Sequence, residues 1–167
     1  MKLVVIYKEV QKSKFKKQNY FLGISLLELV IVLAILITMV ISGITSLSEF
    51  RTNVAVADSK EKIMLALSRA RSKTLASELG NVYGVHFQTD KAVLFIGPIY
   101  IVSEPSNEEY VFDNRAQIYN ISIADGSNVL FERLTGETSN TGTVILRAYN
   151  DKWLWSTTTI GASGLIE

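Results

Sequence analysis

One stretch limits what this chain can become: from Ile24 to Ile44 only Ser25, Glu28, Thr38, Ser42 and Gly43 interrupt an apolar run. A helix over those 21 residues would be roughly 30 Å long, about one bilayer core. Hydrophobic residues make up 48% of the 167-residue chain, and much of the excess sits here. The flanking charge is uneven. Residues 1–23 hold six lysines (Lys2, Lys8, Lys12, Lys14, Lys16 and Lys17) against Glu9. The rest of the chain holds 11 basic and 15 acidic residues, so the formal total of +1 hides an asymmetry. Basic residues ahead of an apolar run predict a leader kept in the cytoplasm and a C-terminal part sent across the membrane.

Three kinds of segment share this pattern: a cleaved signal peptide, an uncleaved signal anchor, and a prepilin stem. A signal peptide has a shorter apolar core of about 7–15 residues before a small-x-small site. Ser42-Gly43-Ile44-Thr45-Ser46 is small enough to keep that option open. Gly23-Ile24-Ser25-Leu26-Leu27-Glu28-Leu29 favours the third kind, because it resembles the type IV prepilin cleavage and methylation motif. The resemblance implies a cut after Gly23, an N-methylated Ile24 as the new first residue, and Glu28 at mature position five. Ile24 stands where the family mostly has Phe or Met, and Thr45 stands where major pilins often have proline.

Glu28 also stands out physically, since a carboxylate near the end of a membrane helix costs several kcal/mol unless paired or neutralised. In pilins such a glutamate neutralises the free amino group of a first residue during assembly. The alternative is that Glu28 merely snorkels to the headgroups.

Beyond the apolar run, Phe50, Val54 and Ala57, then Ile63, Ala66, Leu67 and Ala70, recur at three-to-four spacing. One helix over 24–79 is predicted, capped at Gly80, with a soft point at Gly43 and an amphipathic second half packed on a sheet. Arg69, Arg71 and Lys73 read as a solvated helix face, with a nucleic-acid patch as the alternative.

From Asn81 the period changes to two. Strands are predicted over 82–88 and 92–96 as a hairpin, then over 99–102, 118–123, 129–134, 143–147 and 152–158. Residues 103–109 and 135–142 are predicted as exposed loops. A long helix followed by short strands predicts an α+β fold with a mostly antiparallel sheet. Three parts follow: a leader over 1–23, a transmembrane and assembly helix over 24–49, and an extracytoplasmic head over 50–167.

The head narrows the resemblance. Arg69-Ala70-Arg71-Ser72, Val82-Tyr83-Gly84-Val85, Leu130-Phe131 with Gly136, Thr143-Val144-Ile145-Leu146 and Ile160-Gly161-Ala162-Ser163-Gly164 together look like the GspH/FimT family of minor pseudopilins. The resemblance implies a structural subunit of a pilus or pseudopilus, serving type II secretion, a type IV pilus or DNA uptake. It implies as partners a prepilin peptidase, other pilin subunits met through the stem, the inner-membrane assembly platform, and lipid before assembly. Some relatives bind DNA through basic residues after the last glycine. Gly164-Leu165-Ile166-Glu167 has none, so DNA is not an expected partner.

Nothing in the sequence points to catalysis. There is no cysteine and a single histidine, His86, read as a strand rim residue opposite Val85 and Phe87. No cofactor or metal is expected. Asp125-Gly126-Ser127-Asn128 reads as a turn, lacking the glutamate a calcium loop needs. Trp153 and Trp155 read as either core or an exposed contact surface.

Overall fold

The computed structural model describes residues 23–167. The leader before Gly23 lies outside the described residues, as do the side chains of Ile44 and Thr45. The chain forms two compact units, one ending at Gly43 and the other running from Ile44 to Glu167. One α-helix, α1 (Leu26–Leu75), contributes to both, followed by a 3-10 turn (Glu78–Gly80). Seven strands follow: β1 (Tyr83–Phe87), β2 (Lys91–Ile96), β3 (Glu108–Val111), β4 (Ala116–Ile123), β5 (Asn128–Leu130), β6 (Gly142–Ala148) and β7 (Trp155–Ile160). The fold is α+β, as expected, but the strands form two antiparallel sheets rather than one. Their orders are β3-β2-β1-β5 and β4-β6-β7.

In the second unit α1 buries Ala55, Val56, Ser59, Ile63, Ala66, Leu67, Ala70 and Thr74. The lower part of the predicted stripe is therefore corrected. Phe50, Val54 and Ala57 are all exposed, because the buried face runs through Ala55, Val56 and Ser59 instead. The small residues at 55, 59, 66 and 70 let the helix backbone come close to the sheets. The buried Ser59 hydroxyl donates to the Ala55 carbonyl at 2.7 Å and so carries no unpaired donor. Against this stripe pack Tyr83, Val85 and Phe87 of β1, Ala92 and Leu94 of β2, Val129 of β5, and Val144 and Leu146 of β6. Fully burying one such side chain contributes about 1.5–3 kcal/mol, so this one layer supplies most of the unit's driving force.

The helix ends at Leu75, not 79. The tightened turn that follows places Ser77 (φ 48°) and Leu79 (φ 52°) in left-handed conformations, with Gly80 at φ 70°. Thr74 sets the exit. Its buried hydroxyl donates to the Ala70 carbonyl at 2.8 Å and accepts the Tyr83 N–H at 2.9 Å. The first amide of β1 is thereby satisfied by the last turn of α1.

Three strand predictions change. Residues 99–102 form no strand, and Ile99, Ile101 and Val102 stay exposed. Tyr100 instead stacks on His86 with ring centroids 4.0 Å apart and lies edge-on to Phe95 at 5.6 Å. This loop thus covers part of the outer face of the first sheet. β5 ends at Leu130 because the chain then turns into a loop that is far from fully exposed. Gly136, Thr138 and Asn140 are buried there. The Thr138 hydroxyl donates to the Leu130 carbonyl at 2.7 Å, and Asn140 Oδ1 accepts the Leu130 N–H at 3.1 Å. β7 begins at Trp155, three residues later than predicted, after a turn in which Asp151 accepts the Trp153 N–H. Gly84 is required where it stands. A Cβ there would lie 2.6 Å from the Phe95 ring and 2.8 Å from the Val129 carbonyl oxygen.

Candidate functional site

The stem begins with a built turn. Gly23, Ile24 and Ser25 precede α1, and Ser25 acts as its N-cap, its hydroxyl accepting the Glu28 N–H at 3.1 Å. Ser25-Leu26-Leu27-Glu28 therefore has the spacing of a capping box, a feature missed when Glu28 was read only as a charge in an apolar run. The carboxylate also lies in the first helical turn, where the positive end of the helix dipole favours it. Gly23, Ile24 and Glu28 are thus brought together within about one turn. Ile24 is 74% exposed, and a Cβ on Gly23 would meet nothing within 4 Å. The peptide bond between Gly23 and Ile24 is accessible.

From Leu26 to Ile41 the large apolar side chains stand exposed on every side of α1, from 47% at Val32 to 81% at Leu26. The segment is long and apolar enough to cross a membrane. A helix apolar all round has no stable place in water and needs lipid or other helices around it. The two hydroxyls within it are back-bonded to the helix, Thr38 to the Ile35 carbonyl at 2.8 Å and Ser42 to the Thr38 carbonyl at 2.9 Å. Neither hydroxyl presents an unsatisfied donor to an apolar surrounding.

The charges on the last turns of α1 do structural work, contrary to the reading of a merely solvated face. Arg71 Nε donates to the Gly136 carbonyl at 3.0 Å, and its terminal nitrogen donates to the Ser163 carbonyl at 3.3 Å. Gly136 and Gly164, both at positive φ, leave space for that guanidinium; a Cβ on Gly164 would lie 2.7 Å from Arg71 Nε. Lys73 bonds Glu108 of β3 at 2.7 Å, and Arg69 donates to the Tyr110 hydroxyl at 3.0 Å. The Lys73 hydrogen bond holds the Glu108 carboxyl below the usual range and the Lys73 ammonium above its own, against partial burial.

Comparison with known protein families, with curated proteins and with solved structures returns no match. The chain's chemistry therefore rests on its own geometry.

His86 is half-buried, with Nδ1 2.7 Å from Asn128 Oδ1 and its ring under Tyr100. Among the described residues no three His, Asp or Glu side chains converge as a metal site. A groove of about 660 Å³ runs between α1 and β7, with Met64, Leu65, Ser68, Ser156, Leu165 and Ile166 in its walls. The core reading of the tryptophans is corrected, since Trp153 is 89% and Trp155 61% exposed.

Proposed function

We propose that this chain is a minor type IV pilin-like subunit, similar to the GspH/FimT pseudopilins. In this reading it is cut between Gly23 and Ile24 by a prepilin peptidase, methylated on Ile24, and held in the cytoplasmic membrane by its stem with the head outside. It then enters a pilus or pseudopilus through that stem, and it acts as a structural subunit rather than an enzyme. The observation that carries the reading is Glu28, one turn from an accessible Gly23–Ile24 bond and the one charge in an exposed, largely apolar stem from Ile24 to Gly43. In a bundle of such stems the Glu28 carboxylate would meet the ammonium of a first residue, and each charge would remove the other's desolvation cost.

A second reading is a membrane-anchored head that does not polymerise. The helix start favours it, because the Glu28 carboxylate in the first turn interacts favourably with the helix dipole without any neighbour.

The test is co-expression with a prepilin peptidase, followed by intact-mass and N-terminal analysis of the membrane-extracted protein. A mature chain starting at Ile24, with or without one methyl group, is expected. A chain still carrying residues 1–23, or one cut near Ser46, would overturn the proposal.

A further inference from the structure

The outer face of the second sheet carries an arrangement that stem assembly does not need. β4 pairs with β6, and the register shifts between Ile118 and Asn120, leaving Tyr119 as the extra residue of a bulge. Bulges re-aim side chains. Here the bulge sets the Tyr119 ring against Arg147 of β6, with the guanidinium carbon 4.0 Å from the ring centroid. On the other side of β6, Arg147 is paired directly with Trp155 of β7. Tyr119, Arg147 and Trp155 thus form a row across three strands, about 10 Å from end to end at the usual strand spacing. Tyr119 and Trp155 are 60% and 61% exposed.

Arg147 is the second observation. Its Nε is sealed from solvent without an acceptor, in a side chain whose contact in the structure is the Tyr119 ring. No residue of β4, β6 or β7 is acidic, and Arg147 is their one charge. The guanidinium therefore lies over one aromatic ring, beside the strand position of a second aromatic residue, and its Nε has no acceptor. The register places Gln117, Ile145 and Thr157 beside the row on the same face, so most of its surround is amide and hydroxyl.

We propose that this face binds an acidic polysaccharide, a chain of sugars bearing carboxylates. The aromatic rings offer flat apolar surfaces to the C–H faces of sugar rings. The guanidinium offers a bidentate fork to a carboxylate, and the amide and hydroxyl side chains can both donate and accept with ring hydroxyls. A single-stranded nucleic acid, whose bases would also stack on aromatic rings, is the alternative outcome that the test below separates. A protein hot spot would centre on a dry pocket with an apolar surround, and the surround here is largely polar. The inference concerns the head alone and stands whether or not the stem polymerises.

The chain's two tryptophans, Trp153 and Trp155, make intrinsic fluorescence a direct probe. Full-length protein in detergent micelles is titrated at low salt with polygalacturonate oligomers, with neutral dextran oligomers and with an oligothymidylate. Polygalacturonate is expected to shift the emission and to protect it from acrylamide, with dextran at least about tenfold weaker, because charge-assisted hydrogen bonds to the fork are lost. Arg147→Gln should weaken the uronate response by a similar factor. Capture of the polyanion by the lysines of residues 1–23 would not depend on Arg147. An unchanged emission with polygalacturonate, an equal response to dextran, or a response to oligothymidylate alone would each overturn the proposal. If Arg147→Gln fails to fold, oligothymidylate serves as the control on the unaltered protein, because the leader lysines would capture that polyanion as well, and an equal response to it and to polygalacturonate would overturn the proposal.

Discussion

Thr158 sits in β7 with no solvent exposure, and its hydroxyl has no hydrogen-bond partner in the structure. Its backbone pairs with Val144 of β6, so the side chain belongs to the inner face of the second sheet. An unpaired buried hydroxyl costs about 1–3 kcal/mol, while a methyl in its place keeps the β-branched shape. Thr158→Val is therefore expected to stabilise the chain by about 1 kcal/mol and raise Tm by about 2–4 °C, measured by thermal unfolding of the detergent-extracted protein. A lower Tm would mean that the hydroxyl has a partner after all. Ser25 and Thr74 are the opposite case. Each is a small polar residue placed where a helix end leaves a backbone group to satisfy. Neither role was legible from residue type alone, because Ser and Thr are as common in loops as in caps. Gly84 was legible as part of a resemblance, yet its reason, the Phe95 ring lying across the strand, is a tertiary contact.

At the level of elements, α1 is tied to β3 by Lys73 and Glu108 at 2.7 Å, with Arg69 3.6 Å from the same carboxylate. Because these cations hold the folded Glu108 pKa below its ordinary value, the tie contributes stability above the unfolded carboxylate pKa of about 4.3. That stability is lost as the pH falls through the lower, folded value. The Glu108 side chain is 39% exposed, so screening limits the pair to about 0.5–1 kcal/mol. Glu108→Gln should lower Tm by about 1–3 °C at pH 7, and the gap should close as the pH falls through the lowered carboxyl value of the folded state. A gap that persists undiminished in acid, where the carboxylate of the folded state is protonated, would show that packing, not charge, is lost. The helix, the first hairpin and β6 were readable from periodicity, since each has one face to bury. Residues 99–102 were apolar enough to be read as a strand, but their apolar side chains found no sheet edge. The chain there was used to bring Tyr100 over His86 instead.

For the whole molecule, the question is whether the stem serves lipid alone or other stems as well. Two substitutions separate the roles of its first turn. Ser25→Ala removes the cap and keeps the carboxylate; Glu28→Ala removes the carboxylate and leaves the Ser25 hydroxyl in place. In a host that assembles filaments, Glu28→Ala should leave the protein in the membrane fraction. It should lower recovery in sheared filaments by about tenfold or more, because an unneutralised ammonium among apolar stems costs several kcal/mol. Ser25→Ala should cost about 1 kcal/mol of helix start and leave incorporation near normal. Equal loss from both would assign Glu28 to the cap and remove its proposed part in assembly.

The sequence by itself determined the α+β class, the apolar stem with its lone carboxylate, and the helical stripe from Ile63 to Ala70. Local rules suffice for these, because hydropathy and period act over neighbouring residues. Only the tertiary structure decided that the strands divide into two sheets, that Arg71 holds two distant loops, and that Tyr119, Arg147 and Trp155 line up across three strands. Those outcomes depend on register and on one bulge. A one-residue shift in pairing moves a side chain to the opposite face while leaving the composition and period of each strand unchanged.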